Sequence, residues 1–264
     1  TNSVNVSNIE TITGGTGTDT ITMDSAGTTT VEDIDVIIGD GANDSIIFAD
    51  GAGETATITR FQTITGGTGN DSITIGDDAD TIFSLDLGGG TADHLTLATV
   101  TSQSLNVSNT ETITGGGGID DVTLDTVLTS ATTNTVDLGG DTDSLTLANG
   151  ANVITITNTE TITGGTGVDT ITISGSTGAT IFGGGSDDVI TGGSGADRYV
   201  FEASSNGIDT IASSGFATGA SGDILDYKTN SLGISGLETV YTDTLANISA
   251  LGTNGLMVLT DDAI

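Results

Sequence analysis

Gly164-Gly165-Thr166-Gly167-Val168-Asp169-Thr170-Ile171-Thr172 follows a nine-residue frame, G-G-x-G-x-D-x-U-x with U large and apolar, that recurs along the chain. Close copies start at Gly14 (GGTGTDTIT), Gly66 (GGTGNDSIT) and Gly115 (GGGGIDDVT), and two stand in tandem at Gly183 (GGGSDDVIT) and Gly192 (GGSGADRYV). Looser copies run over 39–47 (GDGANDSII), 75–83 (IGDDADTIF), 88–96 (GGGTADHLT) and 138–146 (LGGDTDSLT). The glycine half predicts a turn in which carbonyls can converge where a Cβ would stand in the way. The x-U-x half predicts a short strand with one apolar side chain facing inward.

The sixth-position Asp adds a hard anionic oxygen to each turn. Gly-Asp pairs alone are ordinary turn chemistry, but ten copies with Asp at the same place point to Ca²⁺, which takes six to eight oxygens from carboxylates and carbonyls. The candidate ligands are Asp19, Asp44, Asp71, Asp80, Asp93, Asp120, Asp143, Asp169, Asp188 and Asp197. One turn supplies half a coordination shell, and a second turn stacked on it completes the shell and pairs the strands. The expected architecture is all-β, a right-handed parallel β-helix or β-roll solenoid with Ca²⁺ between stacked Gly/Asp turns and a C-terminal cap.

Composition agrees with a chain that needs cations. The 36 acidic residues face three basic ones, Arg60, Arg198 and Lys228, for a net charge of −33. That sign argues against a nucleic acid or an anionic membrane as a partner. Aromatics make up 3% of the chain, so each strand buries about one aliphatic side chain. Metal binding then becomes folding free energy. No cysteine is present to staple the coils, and no proline interrupts a ladder. No apolar run approaches membrane-spanning length and no signal peptide is visible at Thr1. Entry straight into a repeat without an initiator Met suggests a fragment of a longer protein.

A longer period encloses the nonapeptides. Asn5 to Met23 (NVSNIETITGGTGTDTITM) returns as 106–124 and 156–173, and in diverged form as 57–75. The strong turns at Gly14, Gly66, Gly115 and Gly164 are 52, 49 and 49 residues apart. Glu10, Glu111 and Glu160 stand nine residues before Asp19, Asp120 and Asp169, in segments that keep the frame but lack its glycines. These segments are expected to be plain solvated corners, the alternative being degenerate metal turns. Successive Asp anchors are mostly 22 to 27 residues apart, and the surplus over two nonapeptides predicts a loop or a third short strand per coil. Thr outward and Ile, Leu or Val inward alternate throughout.

The solenoid is expected over residues 1–201. Residues 202–264 are expected to cap it, with Tyr199, Phe201, Phe216 and Tyr227 supplying aromatics and 237–251 forming one short helix. A further assembly or secretion region is expected to start there.

GGGSDDVITGGSGADRYVF at 183–201, followed by the I-D-x-I segment at 208–211 and G-D-x-L-D-Y at 222–227, resembles the RTX (repeats-in-toxin) family of secreted calcium-binding bacterial proteins. The resemblance extends over about residues 1–230. It implies multiple Ca²⁺ ions between turns, held by the sixth-position Asp and by carbonyls of Gly-rich positions. Those positions are Gly14, Thr16 and Gly17; Gly66, Thr68 and Gly69; Gly115 and Gly117; Gly164, Thr166 and Gly167; Gly183 and Gly185; and Gly192, Ser194 and Gly195. Asp209 resembles a closing ligand. The interruption of the repeat by N-V-S-N-x-E-T-I-T segments is closer to calcium-dependent S-layer proteins and large surface adhesins than to the toxins. Membership would imply export by a type I secretion system to the cell surface.

The function expected is therefore an S-layer subunit fragment that folds and self-associates with Ca²⁺, cell-surface polysaccharide being a further candidate partner. The alternatives are the RTX module of a secreted adhesin, including an ice-binding one, or the C-terminal module of a secreted enzyme. An ice-binding face needs a flat outward Thr array, and the outward positions mix Thr with Ser, Asp and Asn. Catalysis within the chain is not expected. The one histidine, His94, reads as an exposed strand residue, and no Ser or Cys nucleophile sits in a recognisable motif. Carboxylate pairs such as Asp77-Asp78 and Asp187-Asp188 read as ligands, not as glycosidase acids.

Overall fold

In a computed structural model, the structure describes residues 2–227 apart from 42, 50, 52, 77–83, 100, 202–206, 208 and 213–221. The strands are β1 (Asn2–Val6), β2 (Thr11–Thr13), β3 (Asp19–Met23), β4 (Thr28–Glu32), β5 (Val36–Ile38), β6 (Ser45–Phe48), β7 (Thr55–Thr59) and β8 (Thr63–Thr65). They continue as β9 (Ser72–Ile75), β10 (Ser84–Asp86), β11 (His94–Thr96), β12 (Gln103–Ser108), β13 (Thr112–Gly116), β14 (Asp120–Leu124), β15 (Thr135–Gly139) and β16 (Ser144–Thr146). The last are β17 (Val153–Thr157), β18 (Thr161–Thr163), β19 (Thr170–Ser174), β20 (Thr180–Phe182), β21 (Val189–Thr191), β22 (Arg198–Phe201), β23 (Thr210–Ile211) and β24 (Ile224–Tyr227).

Odd-numbered strands form one parallel 12-stranded sheet and even-numbered strands another, each in chain order. The chain thus alternates between two sheets, one strand in each per coil, which is the expected parallel β-solenoid. Register partners lie from 16 residues apart (Ile21 and Ile37) to 26 (Tyr199 and Leu225). The surplus over 18 goes into corners, the loop alternative of the two expected, and the described residues contain no third strand per coil. The last pairs, β21 with β23 and β22 with β24, carry the ladders past Phe201, where the cap was expected to begin. The helix expected over 237–251 lies outside the described residues.

Contacts divide the chain into two compact units, residues 1–126 with 136–142 and residues 127–135 with 143–264. Each is built alike. In the first, Ile37, Ile46, Ile58, Ile64, Ile73, Leu85 and Leu95 are fully buried between the sheets. In the second, Ile156, Ile162 and Ile171 do the same. A buried side chain of this size contributes about 1.5–3 kcal/mol. The alternate residues face out, and register brings Thr57, Thr74, Thr96 and Thr114 into one row beside a mixed row of Ser72, His94 and Thr112.

The strand count also explains the longer period. β9 comes six strands after β3, and these strands follow the turns at Gly66 and Gly14, so both turns enter the odd sheet. β14 comes five strands after β9, and β19 five after β14. A 49-residue unit therefore holds an odd number of half-coils and enters the opposite sheet each time. The Asp anchors are spaced 22 to 27 residues apart for this reason, some a full coil on and others a coil and a half.

Candidate metal centre

The residue that precedes or opens each strand is acidic or an amide at most corners, and Asp71, Asp120, Asp169 and Asp197 are each held by backbone donors from two directions. Asp19 Oδ2 accepts the N–H of Gly15 at 3.0 Å, closing its own turn. The same bond recurs from Asp40 to Asp44 (2.8 Å), Gly67 to Asp71 (3.3 Å), Gly116 to Asp120 (3.5 Å), Gly165 to Asp169 (3.2 Å) and Gly193 to Asp197 (3.1 Å). The other oxygen accepts an N–H from the coil before: Glu54 to Asp71 (2.7 Å), Gln103 to Asp120 (3.1 Å), Asn152 to Asp169 (2.8 Å) and Ala179 to Asp197 (2.9 Å). This is why an acceptor with two oxygens on a short stem is required here, and why the Asp carboxylates are buried at exposures from 0% to 5%.

At two corners a backbone bond joins the Asp residues of two stacked Gly/Asp turns. Asp71 donates its N–H to Asp93 Oδ1 at 2.7 Å, and Asp169 donates to Asp188 Oδ1 at 2.8 Å. The upper turns differ from the lower ones. Gly88 and Gly184 take left-handed φ of +85° and +103°. That directs the next N–H down onto the lower turn, Gly89 to Gly67 O and Gly185 to Gly165 O, both at 2.9 Å. The upper Asp loses the turn-closing bond of the lower turns, although the Gly90 N–H still acts weakly on Asp93. Asp93 Oδ2 and Asp188 Oδ2 are buried without a hydrogen-bond partner. Both face glycine, since a Cβ on Gly90 or Gly183 would stand 2.6 Å from that oxygen. Gly139 (φ +94°) and the bond from Gly140 to Gly116 O at 2.8 Å give the turn before Asp143 the same upper form.

An ionised buried carboxylate oxygen with no donor costs on the order of 1–3 kcal/mol or more. Burial, opposed in part by the Asp169 N–H and reinforced by Asp209, Asp169 and Asp187, pushes the Asp188 carboxyl up to about 7. Burial likewise raises Asp93 and Asp44, and takes Asp209 to about 6. Asp19 goes the other way, lowered first by the Gly15 N–H and then by the Asn2 side chain, so it is satisfied as it stands.

These residues fit a hard cation. The bare oxygens are anionic, buried and set against glycines whose missing side chains leave the space. Asp93 and Asp188 would hold Ca²⁺ through Oδ2, with backbone carbonyls of the surrounding turns completing the shell. Among the described residues no three carboxylate or imidazole groups converge on one point, so most of the shell would be carbonyl. The ion would supply the charge neutralisation that the chain's own three basic residues cannot.

The other expected ligands are distributed as follows. Asp19 and Asp44 are in single turns without a second Gly/Asp turn above them, although Asp44 Oδ1 is also buried without a partner. Asp80 lies outside the described residues. Asp209 stacks over Asp188, accepting its N–H at 3.0 Å. Asp188 and Asp197, tandem in sequence, enter opposite sheets and belong to different corners. Thr16, Thr68, Thr166 and Ser194 are at exposed turn tips, while Gly14, Gly66, Gly164 and Gly183 are inside, where a Cβ would overlap or crowd a neighbouring oxygen. His94 is half-buried on the outer face, its Nε2 3.1 Å from Thr114 Oγ1.

Two groups of corner residues were missed. Asp223 is 4% exposed and accepts the Asp197 N–H at 2.8 Å; the signal was its place two residues before the buried Leu225, the Asp-x-U spacing of the frame. Of the three Glu-containing corners, Glu10 is exposed as expected, whereas the other two are not plain solvated ones. Glu111 and Glu160 are half-buried and accept backbone N–H groups of Asp93 (2.8 Å) and Asp143 (2.7 Å). Comparison with protein-family models, with curated proteins and with solved structures finds no match to this chain.

Proposed function

We propose that this chain is a calcium-binding structural β-solenoid of the bacterial cell surface, part of an S-layer subunit or a related assembly whose folding and self-association require Ca²⁺. The observation that carries the calcium reading is the pair of bare, buried oxygens, Asp93 Oδ2 and Asp188 Oδ2, in corners where two Gly/Asp turns stack. The nonapeptide frame and the net charge of −33 support it. The surface location, export by a type I system and a lattice or polysaccharide partner rest on the resemblance to RTX proteins with interrupted repeats. A role without catalysis is supported by the absence of a recognisable nucleophile motif in the sequence.

Circular dichroism of chelated protein tests the reading. Added Ca²⁺ at roughly 10⁻⁴–10⁻³ M should restore β-structure, and Mg²⁺, which keeps its waters and demands a tight octahedron, should not. An unchanged spectrum after thorough chelation would sink the calcium reading, and equal recovery with Mg²⁺ would reduce it to charge screening. Electron microscopy of the calcium-loaded protein then tests the assembly, which predicts an ordered two-dimensional array.

A further inference from the structure

We infer that Glu111 and Glu160 are positioning residues for the calcium corners and act through a hydrogen bond, not through their charge; the inference rests on the calcium reading above. Each sits one coil above an upper-turn Asp and accepts that residue's backbone N–H, Glu111 from Asp93 at 2.8 Å and Glu160 from Asp143 at 2.7 Å. The bond fixes the backbone of the residue whose carboxylate meets the ion.

The corner that carries each Glu is only three residues long and leaves no slack. Asn109 and Asn158 turn the chain with left-handed φ of +50° and +48°. Thr110 and Thr159 then drop inside at 1% and 2% exposure, with their hydroxyls on Ser108 O and Thr157 O at 3.0 and 3.2 Å. The Glu follows directly on this anchored step. A neutral oxygen does the same work elsewhere in the chain, since Gln62 Oε1 accepts the Asp44 N–H at 2.7 Å from a corner of the same length led by Arg60 (φ +61°), with buried Phe61 in place of the Thr. Asp35, following Asp33 (φ +53°), holds Asp19 in this way at 2.7 Å. The recurrence of N-x-E before the turns at Gly115 and Gly164, with Arg60-Phe61-Gln62 in its place before Gly66, now has a reason. The short corner closes the stack beneath it, and half a coil later the glycine turn opens a new one on the opposite edge.

The test is calcium titration calorimetry on the full chain with Glu111→Gln, Glu111→Ala and, as a control, Asp35→Ala. Losing the acceptor in Glu111→Ala should weaken one class of site about tenfold, while Glu111→Gln stays within about twofold of wild type. Asp35→Ala, whose turn has no second storey, should lower the thermal midpoint and leave calcium affinity unchanged. Equal weakening by Gln and Ala would make the charge a ligand and overturn the inference. So would no weakening by either, or a shift by Asp35→Ala as large as that of Glu111→Ala. Should Glu111→Ala not fold, Glu160→Ala and Glu160→Gln carry the same comparison. A wild-type chain that takes up no calcium refutes the functional reading itself, a result none of the variant outcomes can mimic.

Discussion

Asp188→Asn should change sign with calcium. Without the ion, Asp188 is 1% exposed, its Oδ2 has no donor, and its carboxyl stands at about 7 instead of 3.8. A folded-state acid raised in this way is a cost in its ionised form. The cost is nil below the unfolded pKa, grows between about 4 and 7, and is fully present at pH 8. At 1.36 kcal/mol per unit that displacement bounds it at ~4 kcal/mol, and ~2 kcal/mol is a safer figure for a group near the corner surface. Asn removes the charge and keeps an oxygen for the Asp169 N–H, so the chelated variant should retain more β-structure and a higher urea midpoint than wild type at pH 8. With calcium at about a hundred times its dissociation constant, the ion gives the wild-type chain ~2.7 kcal/mol per site, which the variant forfeits. Urea unfolding followed by circular dichroism, with chelator and with Ca²⁺, reads both signs. If Asn destabilises equally in both conditions, Asp188 is only a hydrogen-bond acceptor and the reasoning fails.

Three further outcomes follow from the same geometry. Chelated protein should be more stable at pH 5 than at pH 8, because Asp188 and Asp209, at about 7 and about 6, bind protons when folded that they release when unfolded; a pH series of urea midpoints rising through that window would contradict this. Calcium affinity should rise over the same window as the competing proton leaves, which calorimetry at both pH values measures. Gly164→Ala should cost roughly 1–3 kcal/mol or more, since its Cβ would overlap the Gly183 carbonyl, whereas Gly15→Ala, with nothing within 4 Å, should change the thermal midpoint little.

Much of the fold was legible because its period is short. Thr170-Ile171-Thr172 alternates as a half-buried strand must, and Ile171 is fully buried. The turn glycines and the buried Asp were legible for the same reason: a frame repeated ten times separates required positions from incidental ones. What the sequence hid was the phase between edges. Asp188 and Asp197 are nine residues apart and look paired, yet half a coil is also nine residues, so they enter opposite sheets. The real partners, Asp169 under Asp188 and Asp71 under Asp93, are 19 and 22 residues apart, distances that depend on corner lengths no local pattern fixes. Glu111 was misread because it lacks glycines, although the glycines serve the turn below it. The difference between upper and lower turns was also hidden, because it turns on the left-handed φ of Gly88 and Gly184, which is set by the coil beneath.

The most direct test of the central claim is a crystal structure of the chain grown with calcium and examined for anomalous density. The account predicts peaks in the stacked corners, against Asp93 Oδ2 and Asp188 Oδ2, and none against Asp19, whose oxygens are already satisfied by Gly15 and Asn2. Empty stacked corners at saturating calcium, or an ion bound at Asp19 instead, would contradict it.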